Sequence, residues 1–199
     1  KERIEQAKVD WRDGRFAAVT NVRLADPKHG PRSRGELVGN FVLGDAMPAD
    51  YAAQIASRVC DYAPFNLVIG DGRGVWCIES QRVLARRLST GIHVVSNGPL
   101  DAPWPKMQRL RSRFETALAA GRDDDASMLD LLADETRAPE SALPDTGIDH
   151  ERERWLSSIF VRGDTYGTRA STLAWRDAAG GIGLHERRFG PLGAVLGED

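Results

Sequence analysis

Apolar residues in this chain fall mainly in short runs, and most of these runs have the character of β-strands. Seven runs are rich in small, β-branched or aromatic residues and are bounded by polar residues or glycine. They predict strands at 15–23, 65–71, 74–80, 91–97, 157–163, 171–177 and 183–190. Because glycine-containing turns at 71–74 and 180–181 join neighbouring runs, we expect antiparallel hairpins at both places.

Apolar residues at helical spacing separate these groups of strands. They predict a pair of helices at 34–43 and 48–62, and a second pair at 104–121 and 126–134. Helices grouped between hairpin-linked strands indicate an α+β fold, which we expect to contain two stacked antiparallel β-sheets flanked by helices.

The length of the chain favours one sizeable core. With 199 residues, of which 41% are hydrophobic, we expect a single domain over 11–199. Residues 1–10 are polar and helix-compatible, which favours a solvated leader. The chain starts at Lys1 rather than at a methionine, and we expect its native N-terminus to be missing.

Charge and hydropathy exclude two classes of partner. The 27 lysine and arginine residues nearly balance the 29 aspartate and glutamate residues, so the basic excess of many nucleic-acid-binding proteins is missing. No apolar run reaches the roughly 18 residues that a membrane-spanning helix requires. We therefore expect a cytoplasmic protein, or one of an organelle lumen or matrix, with no nucleic-acid partner and no integral membrane segment. The oligomeric state is left open.

Cysteine and histidine show no metal-ligand spacing. Neither Cys60 nor Cys77 belongs to a CxxC motif, although a single disulfide between them stays open. We interpret the four histidines as packed or solvated residues and predict no metal ligand among them. They are His29, His93, His150 and His185.

Polar side chains at strand ends are the first candidates for chemistry. Asn21 and Arg23 end the first predicted strand, Asn97 ends the run at 91–97, and Arg169 precedes the strand at 171–177. An asparagine amide can donate to a developing oxyanion, and a guanidinium can hold a carboxylate in a bidentate pair. Asparagine is also an ordinary turn residue, so both interpretations stay open.

A second candidate is the helix start within 30–38. Arg32 and Arg34 flank Ser33 there, so guanidinium groups and backbone N–H donors together favour an anion site. The alternative is structural, because Ser33 is also a suitable N-cap with Glu36 completing a capping box.

Eight segments occur in the order seen in one known family, and they span about Trp11 to Phe189. The segments are DGRFAAVTNVR, GPRSRGELV, YAPFNLVIGD, GIHVVSNGPLDAPWPKMQRLR, LADE, LPDTGI, LSSIFVRGDTYGTRASTLAW and ERRF. The combination resembles the NRDE family, also called the transport and Golgi organisation protein 2 family. That family is itself similar to N-terminal nucleophile hydrolases, which stack two antiparallel sheets between helical layers.

The resemblance implies roles for three residues. In cysteine enzymes of the hydrolase superfamily, an N-terminal cysteine attacks the substrate and its own amino group acts as the base. By this comparison Asn21 and Asn97 resemble the asparagines that stabilise an oxyanion, and Arg169 resembles the arginine near the nucleophile. The Met-Cys start and the Asn-Arg-Asp-Glu signature of the family are absent from this chain, so the nucleophile is not among its residues.

For function, the resemblance implies haem trafficking inside cells. We expect a non-covalent haem carrier or chaperone, in which Arg23, Arg32, Arg34 or Arg169 meets the propionates and the iron has a weak axial ligand or none. The rival prediction is a cysteine amidohydrolase, if the full-length chain begins with cysteine. The third predicted function is that of a scaffold that acts only through protein contacts.

Overall fold

Two compact units make up the protein. The computed structural model describes residues 7–12, 14–27, 30–177 and 181–199, and for 7–12 it gives the backbone alone. The units are Lys1–Ala102 and Pro103–Asp199, and each contains one antiparallel sheet together with helices. The predicted α+β class with two antiparallel sheets is therefore confirmed. The stacking of the sheets and the single domain over 11–199 stay predictions.

The first unit is built on a five-stranded sheet whose strands follow one another in chain order. The strands are β1 (Ala7–Arg12), β2 (Arg15–Asn21), β3 (Phe65–Asp71), β4 (Gly74–Glu79) and β5 (Leu84–Arg87). The helices α1 (Gly35–Leu43) and α2 (Pro48–Ala56) connect β2 to β3 and contact the sheet. A short 3-10 turn at Val59–Asp61 follows α2.

The core of the first unit lies between this sheet and its two helices. In the strand register Val19 is opposite Leu67, and Leu67 is opposite Ile78, so the three side chains share one face. All three are buried, as are Leu37 and Phe41 one helical turn apart on α1. Full burial of such a side chain stabilises the fold by about 1.5–3 kcal/mol.

The second unit combines three helices with a three-stranded sheet. Its elements are α3 (Pro105–Ala119), α4 (Asp125–Leu132), α5 (His150–Trp155), β6 (Ala170–Arg176), β7 (Ile182–Phe189) and β8 (Val195–Glu198). The sheet order is β6–β7–β8, with an irregularity in the β7–β8 register at Arg188 and Phe189. Ala117 of α3 packs with Met128 and Leu131 of α4, and Leu173 of β6 contacts this cluster.

Aspartate side chains begin two helices of the second unit. Asp124 accepts the N–H of Ser127 at 3.0 Å at the start of α4, and Asp149 accepts the N–H of Arg152 at 2.9 Å at the start of α5. These bonds satisfy N–H groups that have no partner inside the helix. The hydrogen bonds from Ser127 also lower the pKa of Asp124.

Two predicted strands are wrong. Segment 91–97 forms no strand, because it folds back on Asp101, whose side chain accepts the N–H of Val94 at 2.8 Å and whose own N–H donates to the Val94 carbonyl at 2.9 Å. Segment 157–163 also lacks strand pairing, since the Ser158 hydroxyl donates to Phe160 at 2.7 Å. Local side-chain hydrogen bonds replace the ladder in both segments.

Other boundaries differ from the predicted ones. Helix α2 ends at Ala56 rather than at 62, and α5 was not predicted. Strands β5 and β8 were not predicted, and neither was β1, which includes part of the polar segment 1–10. Of the predicted turn at 180–181, Gly180 lies outside the described residues, as does His29.

None of the helices in the described part of the chain combines the length and apolar character needed to cross a membrane.

Candidate functional site

The turn that carries Asn97 is tied directly to the end of β2. The side-chain Nδ2 of Asn97 donates to the carbonyl oxygen of Asn21 at 2.9 Å. In return the backbone N–H of Arg23 donates to the carbonyl oxygen of Asn97 at 2.7 Å. Two of the residues that the sequence singled out therefore lie together in the first unit. We call residues 96–100 the Asn97 turn.

Asn66 of β3 also binds the Asn97 turn, and the sequence analysis did not identify Asn66 as a candidate site residue. Its side chain is 2% exposed, and its Nδ2 lies 2.7 Å from the carbonyl oxygen of Gly98 and 3.2 Å from that of Ser96. The hydroxyl of Thr20 also donates to Ser96 at 2.8 Å. An asparagine inside the otherwise apolar run 65–69 was the available signal, because a buried amide requires partners.

Glu79 at the end of β4 secures the far end of the Asn97 turn. Its carboxylate is almost fully buried, and Oε1 accepts the backbone N–H of Leu100 at 3.0 Å. Arg82 and Arg86 lie within 3.5 Å and 3.4 Å of the two carboxylate oxygens. The turn is thus fixed by side chains from three strands, β2, β3 and β4.

This arrangement leaves the Asn97 amide in a defined orientation. An amide nitrogen carries two N–H donors, and the bond to Asn21 uses one of them. A second N–H on a rigidly held nitrogen is the type of donor that an oxyanion site needs. The geometry of Asn97 is therefore compatible with binding a negatively charged or carbonyl oxygen.

The buried internal cysteine, Cys77, does not have the character of an activated nucleophile. The thiol of Cys77 is fully buried in β4, and burial together with the nearby Glu79 carboxylate raises its pKa to about 12. A thiolate is the reactive form, so Cys77 is unreactive near neutral pH. Cys60 is exposed in the 3-10 turn after α2, and both cysteines are free thiols.

Arg32 and Arg34 both bind partners within the first unit. Arg32 donates to Glu36 at 2.7 Å, and this hydrogen bond raises the pKa of Arg32 and lowers that of Glu36. Arg34 donates to the Pro64 carbonyl at 3.0 Å, and burial lowers its pKa. Glu36 also accepts the N–H of Ser33 at 3.3 Å, as in a capping box, although the residue at the N-cap position is Arg34.

Arg169 is the more accessible guanidinium. It lies in the second unit, its side chain is exposed, and its Nη2 is 3.3 Å from the carbonyl oxygen of Asp164. The grouping of Arg169 with Asn21 and Asn97 in one cleft stays a prediction, because Arg169 belongs to the other unit.

Exposed apolar side chains lie on the segment next to Arg169. The N–H of Phe189 donates to the Arg169 carbonyl at 2.8 Å, and the N–H of Leu192 donates to Gly163 at 3.0 Å, so the chain after β7 runs beside 163–169. Leu192, Val195 and Leu196 on that segment are 57%, 62% and 69% exposed. We call these three residues and Arg169 the Arg169 surface. Exposed apolar residues and a cation therefore lie on neighbouring segments joined by hydrogen bonds, and a ligand with an apolar body and an acid group requires both kinds of residue.

The three histidines that the structure describes all have partners. His93 lies 2.8 Å from Asp101 and 3.1 Å from the Ser89 carbonyl, and His150 lies 2.8 Å from Glu140. The two ring nitrogens of His185 lie 2.9 Å from Asp125 and 3.2 Å from Glu198. Within the described residues, no cluster of three or more His, Cys, Asp or Glu side chains is arranged to hold a metal ion.

Comparison with known proteins decides the family. A family model described as Transport and Golgi organisation 2 matches residues 11–191. This chain belongs to that family. It is 31% identical over 200 residues to a Transport and Golgi organization protein 2 homolog of Bos taurus, which covers 94% of this chain and 70% of the relative. The Homo sapiens homolog is 30% identical and the Mus musculus homolog 29% identical, each covering 87% of this chain and 68% of the relative.

The match to the Transport and Golgi organisation 2 family includes both candidate regions. Asn21, Asn97 and Arg169 all fall within 11–191, and so does most of the described part of each unit. The family resemblance expected from the sequence motifs is therefore confirmed. The roles of individual residues stay predictions.

Proposed function

We propose that this chain binds haem non-covalently and acts in haem trafficking, as a carrier or chaperone. The observation that carries the proposal is the exposed guanidinium of Arg169, whose segment is joined by backbone hydrogen bonds to the segment that carries exposed Leu192, Val195 and Leu196. Membership of the Transport and Golgi organisation 2 family supports it, because the motif resemblance implies the same activity.

The chemistry of haem matches these residues. The porphyrin faces are apolar, and exposed Leu192, Val195 and Leu196 provide area that gains free energy when it leaves water. The propionates are carboxylates, and Arg169 has guanidinium donors beyond the single 3.3 Å bond to Asp164. Arg32 and Arg34 are weaker candidates because their guanidinium groups already bind Glu36 and Pro64.

Iron ligation has a minor part in this proposal. Both ring nitrogens of His93 and of His185 already contact protein oxygen atoms, so ligation by either would break an existing contact. A carrier must also release its cargo, which a weak or absent axial ligand favours. We place this activity in the cytoplasm, consistent with the absence of a membrane-spanning helix among the described residues.

The test is a hemin titration of the chain followed by the Soret band. We expect Arg169→Gln to weaken binding by about 1.5–3 kcal/mol, the range for a hydrogen bond to a charged group. The matched control is Arg137→Gln, also exposed in the second unit, which should leave the affinity unchanged. Substitution of His93 or His185 should have the smaller effect. Absence of hemin binding would contradict the proposal. So would loss of binding in one histidine variant together with unchanged binding in Arg169→Gln.

A second candidate function is amide hydrolysis, which the Asn97 geometry favours. The fixed amide retains an N–H donor of the kind that stabilises an oxyanion. Because the Cys77 pKa is about 12, this reaction requires a nucleophile other than Cys77. Amide hydrolysis that is lost in Asn97→Ala and retained in the exposed control Arg137→Gln, in a chain without hemin affinity, would select this function over haem binding.

A further inference from the structure

A cleft of about 310 Å³ lies between α3 and α4 in the second unit. Its floor contains the buried residues Ala117 and Leu131. Ser112 on α3 and Ser127 on α4 form part of its walls. Ser112 is exposed and Ser127 is half-buried, so small polar side chains border the opening of the cleft.

The backbone places Arg122 at the rim of this cleft. Helix α3 ends in a Schellman motif, in which the N–H of Arg122 donates to Ala117 at 2.9 Å and the N–H of Gly121 donates to Leu118 at 3.0 Å. Gly121 has φ +65°, a conformation that glycine adopts without strain. The position of Arg122 is thus set by the helix end.

The cleft is lined by charges of both signs. Arg113, Arg122 and Asp130 all contribute to it, and Arg113 also pairs with Asp134 at 3.0 Å. Among the residues that the structure describes, neither Arg122 nor Asp130 has a salt-bridge partner within 4.0 Å. Two opposite charges therefore line the same cleft without neutralising each other.

The neighbouring acidic residues do not all compete for Arg122. The carboxylate of Asp124 accepts two hydrogen bonds from Ser127, at 3.0 Å and 2.7 Å. Asp125 contacts His185 at 2.9 Å. Asp123 is exposed and adjacent to Arg122 in sequence, and it reduces the positive potential at the rim without forming an ion pair.

We infer that this cleft binds a small zwitterion that carries a carboxylate and an ammonium group, as a free amino acid does. Arg122 and Arg113 supply planar donors for the carboxylate, and Asp130 supplies an acceptor for the ammonium group. Ala117 and Leu131 supply apolar contact for a side chain. The volume is at the lower end of small-molecule sites, which suits a ligand of this size. The inference is independent of haem binding.

Three ligands of matched shape test the need for both charges. L-leucine, 4-methylpentanoate and 3-methylbutylamine are titrated into the ¹⁵N-labelled chain, and backbone amide shifts of α3 and α4 are recorded. We expect saturable shifts with leucine and about tenfold weaker binding of each analogue, equivalent to about 1.4 kcal/mol. No saturable shift with leucine, or equal affinity for the carboxylate analogue, would overturn the inference.

Substitution of two exposed residues tests which side chain binds each charged group of the ligand. Arg122→Gln should weaken leucine about tenfold and leave 3-methylbutylamine unchanged, whereas Asp130→Asn should weaken leucine about tenfold without weakening 4-methylpentanoate. Arg137→Gln, exposed on a different segment, serves as the control and should change none of the three affinities. Leucine affinity that is unchanged in both cleft variants would place its binding elsewhere.

Discussion

The side-chain amide of Asn97 donates to the backbone carbonyl of Asn21 at 2.9 Å, although the two residues lie 76 positions apart. Residue 97 is thus held by the end of β2 and not by its own turn alone. Pro99, Pro103 and Pro105 restrict the backbone that follows, since proline fixes φ. Asn97 is therefore positioned by a long-range hydrogen bond, in a turn whose backbone Pro99 restricts.

Loss of the Asn97 side-chain hydrogen bond should destabilise the fold less than loss of the buried Asn66 amide. We expect Asn97→Ala to lower the free energy of unfolding by about 1 kcal/mol, and Asn66→Ala by about 3 kcal/mol, because the latter leaves the carbonyl of buried Gly98 without its donor, whereas Ser96 keeps the bond from Thr20. Urea unfolding monitored by circular dichroism measures both. Asn40→Ala, exposed on α1, is the control, and a larger loss for Asn97 than for Asn66 would contradict this order.

Glu79 should be the most sensitive acidic residue of the first unit. Glu79→Ala removes the acceptor of the Leu100 N–H and leaves Arg86 without its carboxylate, so we expect a loss of about 3 kcal/mol or more. Glu79→Gln retains an acceptor and should lose less. Hydrogen exchange of the Leu100 amide provides a local readout, and it should accelerate in Glu79→Ala while it stays slow in the exposed control Glu115→Ala. Unchanged exchange in Glu79→Ala would refute the role.

Stability should depend on the protonation of His185. The hydrogen bond to Asp125 raises the pKa of His185 above its ordinary 6.5; burial opposes this increase, and a further hydrogen bond to Glu198 adds to it. Arg187 also pairs with Glu198 and shares that carboxylate. Since the folded-state pKa is the higher one, the stabilisation is complete below about 6.5 and is lost as pH rises through the folded-state value.

The measurement compares His185→Gln with the unsubstituted chain in urea unfolding between pH 5 and pH 9. The difference in unfolding free energy should be largest at the acid end and should shrink toward alkaline pH. His150→Gln provides the control for a more exposed histidine that contacts one carboxylate, Glu140. If the difference in unfolding free energy grew with pH, the pKa of His185 would be lowered rather than raised by folding, which would contradict the prediction.

One thiol per folded chain should react with iodoacetamide. Cys60 is exposed, whereas Cys77 is buried and its pKa is raised to about 12. Mass spectrometry should show a single adduct under native conditions and two adducts in urea. Cys60→Ser should abolish the native adduct, and native labelling of Cys77 would contradict the burial of β4.

The sequence predicted the elements whose periodicity is set by a buried face. Strands β2, β3, β4, β6 and β7 and helices α1, α3 and α4 lie near their predicted positions. Segment 91–97 has the same alternating pattern, but Asp101 supplies the hydrogen bonds that a neighbouring strand would otherwise provide. The cap at Asp149 and Arg152 was a readable signal for α5. Short edge strands such as β5, with mostly charged or exposed residues, carry little hydrophobic signal.

The candidate site could be predicted only in part, because local sequence does not encode contacts between distant residues. Strand-end asparagines were identifiable from residue type, and Asn21 and Asn97 do lie together. The partners of Arg34 and the buried position of Glu79 depend on contacts between residues far apart in sequence, at Pro64 and Leu100. No local pattern encodes such contacts. Only the structure distinguishes Arg169 from the other candidate arginines, because the sequence does not show which of them is exposed.

The Asn97 turn also restricts which changes in chain length the protein tolerates. Ser96, Gly98 and Leu100 each meet a group that is fixed on β2, β3 or β4. An inserted residue would shift at least one of these backbone groups out of reach, whereas the exposed hairpin tip at Gly72 and Arg73 lengthens without moving either strand. Insertions and deletions fixed during the divergence of the family should therefore accumulate at the hairpin tip and avoid 96–100.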